Sequence, residues 1–397
     1  MIVESAKRDH IGNMKGIAER EMSSGKIELV EGNELVYLSG AEMDLKTAPV
    51  IRKSLSDFAE NGLYGYTVQD QRYNEAVRRW MAKTRSLKLS GEEIVVTTGT
   101  ISAVNTAIKA FTAPGDGIVL QSPSYYRFDR AIRNQGRNVV YNPMICENGN
   151  YRIDFDHLAK CCSVPENRML LICSPHNPTG RIFTRKELEI MTDLAQKNNM
   201  IIFCDEIFGE MIMDGYTFHS LLTVSKKGII VSTSLGKCFN FTGVNQANLL
   251  ICDQAVRAEF KVQQKKDHIG SIDPFFYNAL CAAYTEAGYR WIREVCSLVK
   301  RNEELIRRFC AAKMPLIRPV PLQGGFILWM DMRGLGFDEE ELQQFMERQA
   351  NVIGDPGNEY GSCGRGFYRL QIAAQEKTIR QMLEQMKKAY ERGGFGK

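Results

Sequence analysis

The sequence predicts an α/β fold in which a large domain holds a mostly parallel, seven-stranded sheet between helices and a smaller α+β domain follows. Three observations lead to this prediction. Seven short apolar runs lie between residues 90 and 255, and each is typical of a buried parallel strand. Amphipathic segments, such as residues 101–111 and 184–199, separate several of these runs. After about residue 280 the chain changes to smaller, mixed elements.

The seven apolar runs give the predicted strands of the large domain. Because strand and helix patterns alternate, the sheet is expected to be covered on both faces. The runs are EIVVTT (93–98), GIVLQSP (117–123), NVVYNP (138–143), MLLICSP (169–175), MIIFCDE (200–206), GIIVSTS (228–234) and ANLLICD (247–253).

The length of 397 residues is sufficient for two domains. We expect residues 51–284 to form the large, cofactor-binding domain and residues 285–397 the small domain, with residues 1–50 packing against the small domain. The elements predicted after the sheet are a long helical stretch at 281–313, a strand at 324–332, a helix at 338–350, a strand at 366–373 and a terminal helix.

Composition excludes several classes of protein. The net charge of +4 is nearly balanced and the basic residues are dispersed, so nucleic-acid binding is not indicated. The first ten residues are charged and contain no apolar core of a secretory signal. No apolar run approaches the length that spans a bilayer.

The cysteines indicate a reducing compartment. Several of the 11 cysteines, including Cys173, Cys204 and Cys252, lie inside apolar runs, where they behave as small buried hydrophobic residues. There is no C-x-x-C pair, and the five histidines lack the spacing of metal ligands. We therefore expect a cytoplasmic protein without a bound metal.

Ligands of parallel sheets bind at the carboxyl ends of the strands, so the residues that follow each run are candidates for a site. Gly99 and Thr100 follow the first run and open a helix, whose free N–H groups suit a phosphate, although such turns also merely cap helices. Tyr125 follows the second run and could stack on a planar ligand, although such a tyrosine is more often rim packing.

Three further loops carry polar residues at strand ends. Asn177 lies in the rigid turn SPHNPTG (174–180), where it is a held amide. Asp205 directly continues a buried run and needs a cationic partner or a strong donor. Lys237 follows the run GIIVSTS and is either solvent-facing or held there for chemistry.

These five loops together predict one cofactor. A phosphate cradle, a stacking ring, a rigid amide, a buried acid and a lysine are the set that pyridoxal phosphate requires. That cofactor forms a Schiff base with a lysine, and an acid on its pyridine nitrogen strengthens its capacity to accept electrons.

The chain resembles fold-type I pyridoxal-phosphate enzymes of aminotransferase class I/II. The motifs that carry this resemblance are SPHNPTG, DEI (205–207) and SLGK (234–237) in this order. It is most similar to the branch of cystathionine β-lyases and related C–S lyases, through AEMDLKTAP (41–49), YGYT (64–67), NPTGRIFT (177–184) and GFYRLQIA (366–373).

The resemblance implies a role for each motif residue. Lys237 would hold the cofactor and move the Cα proton of an amino-acid substrate. Arg369 would grip the substrate carboxylate with its planar fork. For the cofactor ring, the resemblance implies Asp205 on the pyridine nitrogen, Asn177 on the ring O3′ and Tyr125 on the ring face. For the phosphate, it implies Gly99, Thr100, Ser234 and Tyr66. Tyr66 would come from the second subunit of a homodimer with shared active sites.

Several positions depart from the family pattern. Phe208 stands where a histidine or tyrosine usually bonds O3′, and Gly236 replaces a serine that is frequent before the lysine. Asn245 stands where many aminotransferases have a phosphate-binding arginine, which is compatible with the lyase branch. Gln371 and Gln375 replace the asparagine and proline of the closing motif.

The resemblance leaves three functions open. The first is β-elimination on an S-substituted cysteine-type amino acid, which gives pyruvate, ammonia and a thiol. The second is transfer of the amino group to a 2-oxo acid by the same lysine, acid and arginine. The third is a cofactor-binding regulator without turnover, against which the retained Lys237, Asp205 and Arg369 argue.

Overall fold

The structure is a computed structural model that describes residue 4 and residues 29–395. The expectations for the remaining N-terminal residues, including the missing secretory signal, lie outside the described residues. Within the described ranges, no helix is long and apolar enough to cross a membrane. The same part of the chain contains no group of three or more His, Cys, Asp or Glu side chains that could hold a metal ion.

The described chain contains fifteen strands, here numbered in chain order. They are β1 Val36–Tyr37, β2 Ile94–Thr97, β3 Gly117–Ser122, β4 Asn138–Pro143, β5 Ile145–Glu147, β6 Asn150–Arg152, β7 Asn167–Cys173, β8 Ile201–Asp205, β9 Ile229–Thr233, β10 Ala247–Leu250, β11 Arg318–Pro319, β12 Ile327–Asp331, β13 Val352–Ile353, β14 Asp355–Pro356 and β15 Phe367–Gln371.

The α-helices of the described residues are numbered in the same way. They are α1 Pro49–Asn61, α2 Gln71–Arg85, α3 Thr100–Phe111, α4 Tyr126–Arg133, α5 Phe155–Ser163, α6 Arg185–Lys197, α7 Leu235–Cys238, α8 Gln254–Lys266, α9 Pro274–Ala283, α10 Glu286–Lys313, α11 Glu339–Gln343 and α12 Glu376–Arg392.

The predicted seven-stranded sheet is confirmed. Its strand order is β2-β10-β9-β8-β7-β3-β4. Neighbours from β9 to β4 are parallel, and β10 runs antiparallel to both β2 and β9. Each of the seven apolar runs forms one of these strands, so the α/β class predicted from the alternating pattern is correct.

Both faces of the inner strands of the sheet are buried, as the continuous apolar runs predicted, whereas the edge strand β4 is partly exposed. In β7, Leu170 and Ile172 belong to one apolar core, whereas Met169 and Leu171 belong to the other. This alternation follows from the two-residue repeat of a strand. A strand that is buried on both faces therefore needs apolar residues at consecutive positions, which is the pattern that the sequence shows.

A second, antiparallel sheet forms in the C-terminal part, in the order β11-β12-β15-β14. The N-terminal strand β1 pairs in parallel with β13, which precedes β14 in the chain. This pairing supports the predicted association of the N-terminal segment with the small domain. The domain boundaries themselves stay a prediction.

The predicted helical stretch 281–313 is wrong in one respect, because it forms two helices. Helix α9 ends at Ala283 and α10 begins at Glu286. Thr285 accepts a hydrogen bond from the Gly288 N–H at the start of α10, which is the usual role of an N-cap threonine. The helix expected at 338–350 likewise divides, into α11 and a π-helical turn at Gln344–Gln349.

The strand register aligns the carboxyl ends of the central strands. Cys173 at the end of β7 lies opposite Asp205, and Asp205 lies opposite Ser232 of β9. On the antiparallel side, Ala247 at the start of β10 lies opposite Thr97 at the end of β2. The loops after β2, β7, β8 and β9 therefore emerge at one edge of the sheet.

A buried ion cluster lies beneath this edge. Arg85, at the end of α2, has a fully buried side chain that pairs with Glu206 at 3.2 Å and with Glu210. The Cys238 thiol also donates to the Glu210 Oε2 atom, at 3.0 Å. Since Glu206 follows Asp205 and Cys238 follows Lys237, the cluster fixes the backbone beside both candidate site residues.

We predict that Arg85→Met strongly destabilises the protein. It leaves two carboxylates buried without their cation, which costs about 3–5 kcal/mol in comparable buried pairs. Chemical denaturation of the purified variant would measure this loss. The matched control, Arg185→Met, removes an exposed pair with Glu189 and should change the free energy of unfolding by less than about 1 kcal/mol. Equal effects of the two substitutions would contradict the prediction.

Candidate active site

Lys237 lies in the short helix α7, directly after β9. Its Nζ donates a hydrogen bond to the Ala41 carbonyl oxygen at 3.0 Å. Burial first, and the Arg369 cation second, lower the pKa of Lys237 to about 8. A fraction of this amine is therefore neutral near physiological pH, as a base or a nucleophile requires.

Asp205 is the last residue of β8 and is almost completely buried. Its Oδ1 atom accepts a hydrogen bond from the Ile207 N–H at 3.2 Å. Burial raises the pKa of Asp205 to about 7, although that hydrogen bond and the Lys237 cation oppose the shift. The acid therefore lies in a place where a cationic ring nitrogen would stabilise its charged form.

Asn177 and Arg369 contact each other. Arg369 Nη1 donates to Asn177 Oδ1 at 3.0 Å, and both side chains are buried. The Asn177 Nδ2 group donates to no other described residue, so it remains available for an acceptor such as the predicted O3′. The sequence analysis assigned these two residues to different partners and did not predict their contact.

Tyr125 is half-buried at the start of α4 and packs edge-on against Phe128, with ring centroids 5.5 Å apart. Burial raises the pKa of Tyr125 to about 12, so its hydroxyl is neutral at physiological pH. Tyr125 and Asn177 line one small cavity together with Cys173, at the end of β7. The structure therefore brings Lys237, Asp205, Asn177, Arg369 and Tyr125 into one site.

Gly99 and Thr100 open helix α3, as predicted, although the helix begins at Thr100 rather than near residue 102. Gly99 has a φ of +84°, which strongly favours glycine, and a Cβ there would lie 3.8 Å from Asn245. The Thr100 hydroxyl lies 2.9 Å from the Ser232 hydroxyl. Ser232 was not predicted, and its position in the middle of a strand pattern gave no signal.

The Ser234 hydroxyl already has two partners. It donates to the Gln246 carbonyl oxygen at 2.7 Å and accepts from the Gly236 N–H at 3.1 Å. It must therefore turn away from Gln246 before it can donate to a phosphate. The predicted phosphate role of Ser234 stays a prediction.

Tyr66 is not brought together with the other predicted residues. Its side chain is fully exposed in the segment between α1 and α2. This position leaves it free to reach another subunit, which was the predicted arrangement. That role also stays a prediction.

Two departures from the family pattern are buried near the site. Phe208 packs edge-on against Phe326 with ring centroids 5.6 Å apart, and its side chain offers no hydrogen bond. Gln371 is fully buried, and neither atom of its side-chain amide has a hydrogen-bond partner within the described chain. Gln375 lies at the N-cap of α12 and makes no side-chain cap hydrogen bond.

The sequence analysis missed Asp355, Ser39 and Gly40, and it gave no role to Ala41, the first residue of AEMDLKTAP. Asp355 bonds Arg369, and Ala41 bonds Lys237, so both lie beside predicted site residues. No motif in the sequence around Asp355 singles out this residue. Its position follows from the pairing of β14 with β15, which no local pattern reveals.

The residues present fit pyridoxal phosphate. A buried lysine with a lowered pKa, a buried acid with a raised pKa and an available Asn177 amide are the groups that the cofactor's aldehyde, ring nitrogen and ring oxygen require. The start of α3 adds free N–H groups for a phosphate.

The comparisons agree with this geometry. Residues 33–386 match the family model "Aminotransferase class I and II". The chain is 30% identical over 352 residues to cystathionine beta-lyase PatB of Bacillus subtilis, with 88% of this chain and 91% of that protein covered. It is 28% identical over 348 residues to protein MalY of Escherichia coli, with 87% and 89% covered.

A solved structure is also similar. Cystalysin from Treponema denticola, whose crystal structure contains a pyridoxal 5′-phosphate cofactor, superposes with a TM-score of 0.93 at 29% identity and covers 99% of both chains. The protein belongs to the aminotransferase class I and II family. The predicted family, fold type, enzyme class and cofactor are thereby confirmed at the level of the family.

We predict that Asp205→Asn stabilises the cofactor-free protein increasingly as pH rises from 4 to 7. An acid with a raised pKa holds its proton in the folded state but not in the unfolded state across this window. The contribution of Asp205 to the free energy of unfolding therefore falls by up to about 1.4 kcal/mol for each unit by which the pH rises. Asparagine does not titrate, so the variant does not show this loss.

Urea denaturation at several pH values measures the difference between the variant and the wild type. The control Asp193→Asn changes an exposed residue of α6 and should leave the pH dependence unaltered. A difference between Asp205→Asn and the wild type that does not vary with pH would contradict the prediction.

Proposed function

We propose that this protein binds pyridoxal phosphate and catalyses β-elimination on an S-substituted cysteine-type amino acid. The products would be pyruvate, ammonia and a thiol. The observation that carries this proposal is the buried Lys237, with its lowered pKa, beside Asp205 and Arg369. The 30% identity to a cystathionine beta-lyase over 88% of the chain supports the choice of reaction.

The bound cofactor would supply an electron sink for negative charge that develops at the substrate Cα atom. Lys237 Nζ is the group that accepts the Cα proton, since it is buried and partly neutral. The electron pair left at Cα then forms a Cα=Cβ double bond, while the Cβ–S bond breaks and its electron pair leaves with the sulfur as a thiolate. The remaining unsaturated amine takes up water and gives pyruvate and ammonia.

Arg369 and Asn177 would position the substrate. The Arg369 guanidinium is buried and is held by Asn177 and by the face of Tyr360, whose ring centroid lies 5.1 Å from the guanidinium carbon. A carboxylate bound there would place Cα at a fixed distance from the lysine. Asp205 would pair with the ring nitrogen of the cofactor, and Tyr125 would cover its ring.

Amino-group transfer to a 2-oxo acid is the second candidate. It is favoured by the family that the model matches over residues 33–386. The same base, acid and arginine serve both reactions, since the outcome depends on where the proton returns. Measurement of pyruvate, ammonia and newly formed amino acids in one incubation separates the two candidates.

We also propose that the protein is a homodimer with shared active sites. An apolar patch is exposed beside α1 and α9, formed by Leu63, Tyr64, Tyr66, Val68 and Phe275. Tyr64 and Phe275 stack at 5.8 Å. Such a patch is typical of a protein–protein interface.

The eleven free cysteines support a location in the reducing cytoplasm.

We predict that Lys237→Ala abolishes elimination while the protein still folds. Wild-type protein supplied with pyridoxal phosphate and cystathionine should release pyruvate and ammonia in equal amounts. The control Lys186→Ala changes an exposed lysine of α6 and should retain full activity. Stoichiometric amino-group exchange without pyruvate would support the aminotransferase instead. A Lys237→Ala protein with unchanged turnover would refute both reactions.

We predict that two inactive variants restore activity when their subunits are mixed. If Tyr66 serves the partner's site, a dimer of one Lys237→Ala chain and one Tyr66→Ala chain contains one intact site. Random mixing should therefore restore about one quarter of wild-type activity. Mixtures of Lys237→Ala with Asp205→Asn should restore none, because both residues belong to their own subunit's site. Absence of restoration in the first mixture would contradict the shared site.

A further inference from the structure

A carboxylate of the chain itself occupies one edge of the Arg369 guanidinium. Asp355 Oδ2 accepts from Arg369 Nε at 3.0 Å and from Arg369 Nη2 at 2.6 Å. Asp355 lies directly opposite Arg369 where β14 pairs with β15. The contact is therefore part of the sheet and does not depend on a mobile loop.

Asp355 is itself held in place. Its Oδ1 atom accepts from the Ser39 hydroxyl at 2.7 Å, and the Gly40 N–H lies 3.1 Å from Oδ2. The next residue, Ala41, accepts the hydrogen bond of Lys237. The segment Ser39–Ala41 thus connects the carboxylate on the arginine to the amine of the lysine.

The pairing limits what Arg369 can offer a ligand. A guanidinium has five N–H groups, and three hydrogen bonds, two to Asp355 and one to Asn177, are already formed. The side chains of Arg369 and Asp355 are only 4% and 13% exposed, so their charges are poorly screened by water. Because the two charges cancel, an incoming carboxylate meets a buried pair with no net charge. Both effects weaken anion binding relative to a free buried arginine.

We propose that Asp355 determines substrate affinity by attenuating the binding of the substrate carboxylate at Arg369. This inference rests on the proposed function, because it assumes that Arg369 receives the carboxylate of an amino acid. Asp355 acts through Arg369 and is a positioning residue. Because Asp355 weakens carboxylate binding, small amino acids bind with low affinity. Contacts to the substrate side chain then determine which amino acid is bound.

The test measures binding of two unreactive ligands to the cofactor-loaded protein by titration calorimetry. 2-Methylalanine carries the amine and the carboxylate but has no Cα proton, whereas tert-butylamine also has no Cα proton and lacks the carboxylate. In Asp355→Asn, which keeps the shape and removes the charge, the Kd of 2-methylalanine should fall about tenfold. The Kd of tert-butylamine should not change.

Two variants serve as controls. Glu376→Gln removes an exposed carboxylate that pairs with Arg380 and has no hydrogen bond to Arg369, and it should leave both Kd values unchanged. Asp355→Ser also removes the charge and should reproduce the effect of Asp355→Asn. An unchanged or raised Kd for 2-methylalanine in these variants would overturn the proposal. So would an equal effect on both ligands, an equal effect of Glu376→Gln, or the failure of both Asp355 variants to fold.

The failures of the two proposals are distinguishable. A wild-type protein that binds neither pyridoxal phosphate nor 2-methylalanine overturns the proposed function, and this inference with it. A wild-type protein that binds both and releases pyruvate, together with an unaltered Kd in Asp355→Asn, overturns only the role of Asp355.

Discussion

Removal of water from Asp205 and Lys237 is the constraint on which the site depends. The acid ends one central strand and the lysine follows its neighbour, so the sheet holds both groups in a low-dielectric place. Burial disfavours charge on each of them and moves their pKa values toward each other, to about 7 and about 8. A partly neutral amine at Lys237 can accept a proton, as the proposed reaction requires, and Asp205 is a buried acid that a cationic partner would ionise.

The scaffold supports this costly arrangement from below and from the side. Beneath it, Arg85 neutralises the carboxylate that follows Asp205. Beside it, Arg369 adds a fixed cation that disfavours the protonated lysine, and Asp355 balances that cation. Lys237 is therefore coupled to two charged groups of opposite sign, since Asp205 raises its pKa and Arg369 lowers it.

Local patterns in the sequence were sufficient for the sheet and for most of the site. Consecutive apolar residues identified every strand of the large sheet, and the residues after each strand identified Lys237, Asp205 and Asn177. The break between α9 and α10 was missed because Thr285 is a weak signal inside a strongly helical pattern. Asp355 was missed for a different reason: its contact with Arg369 depends on strand pairing between residues 14 positions apart and on the N-terminal segment.

The alternation of β7 between two cores has a consequence for insertions and deletions. Leu170 and Met169 face opposite sides of the sheet, and each side packs against a different set of helices. Loss of one residue within the strand would exchange the two faces for every residue beyond it and would shift the turn that holds Asn177. Changes in chain length are therefore better tolerated in exposed connections, such as the turn at residues 148–149 between β5 and β6, than between β7 and the site that it carries.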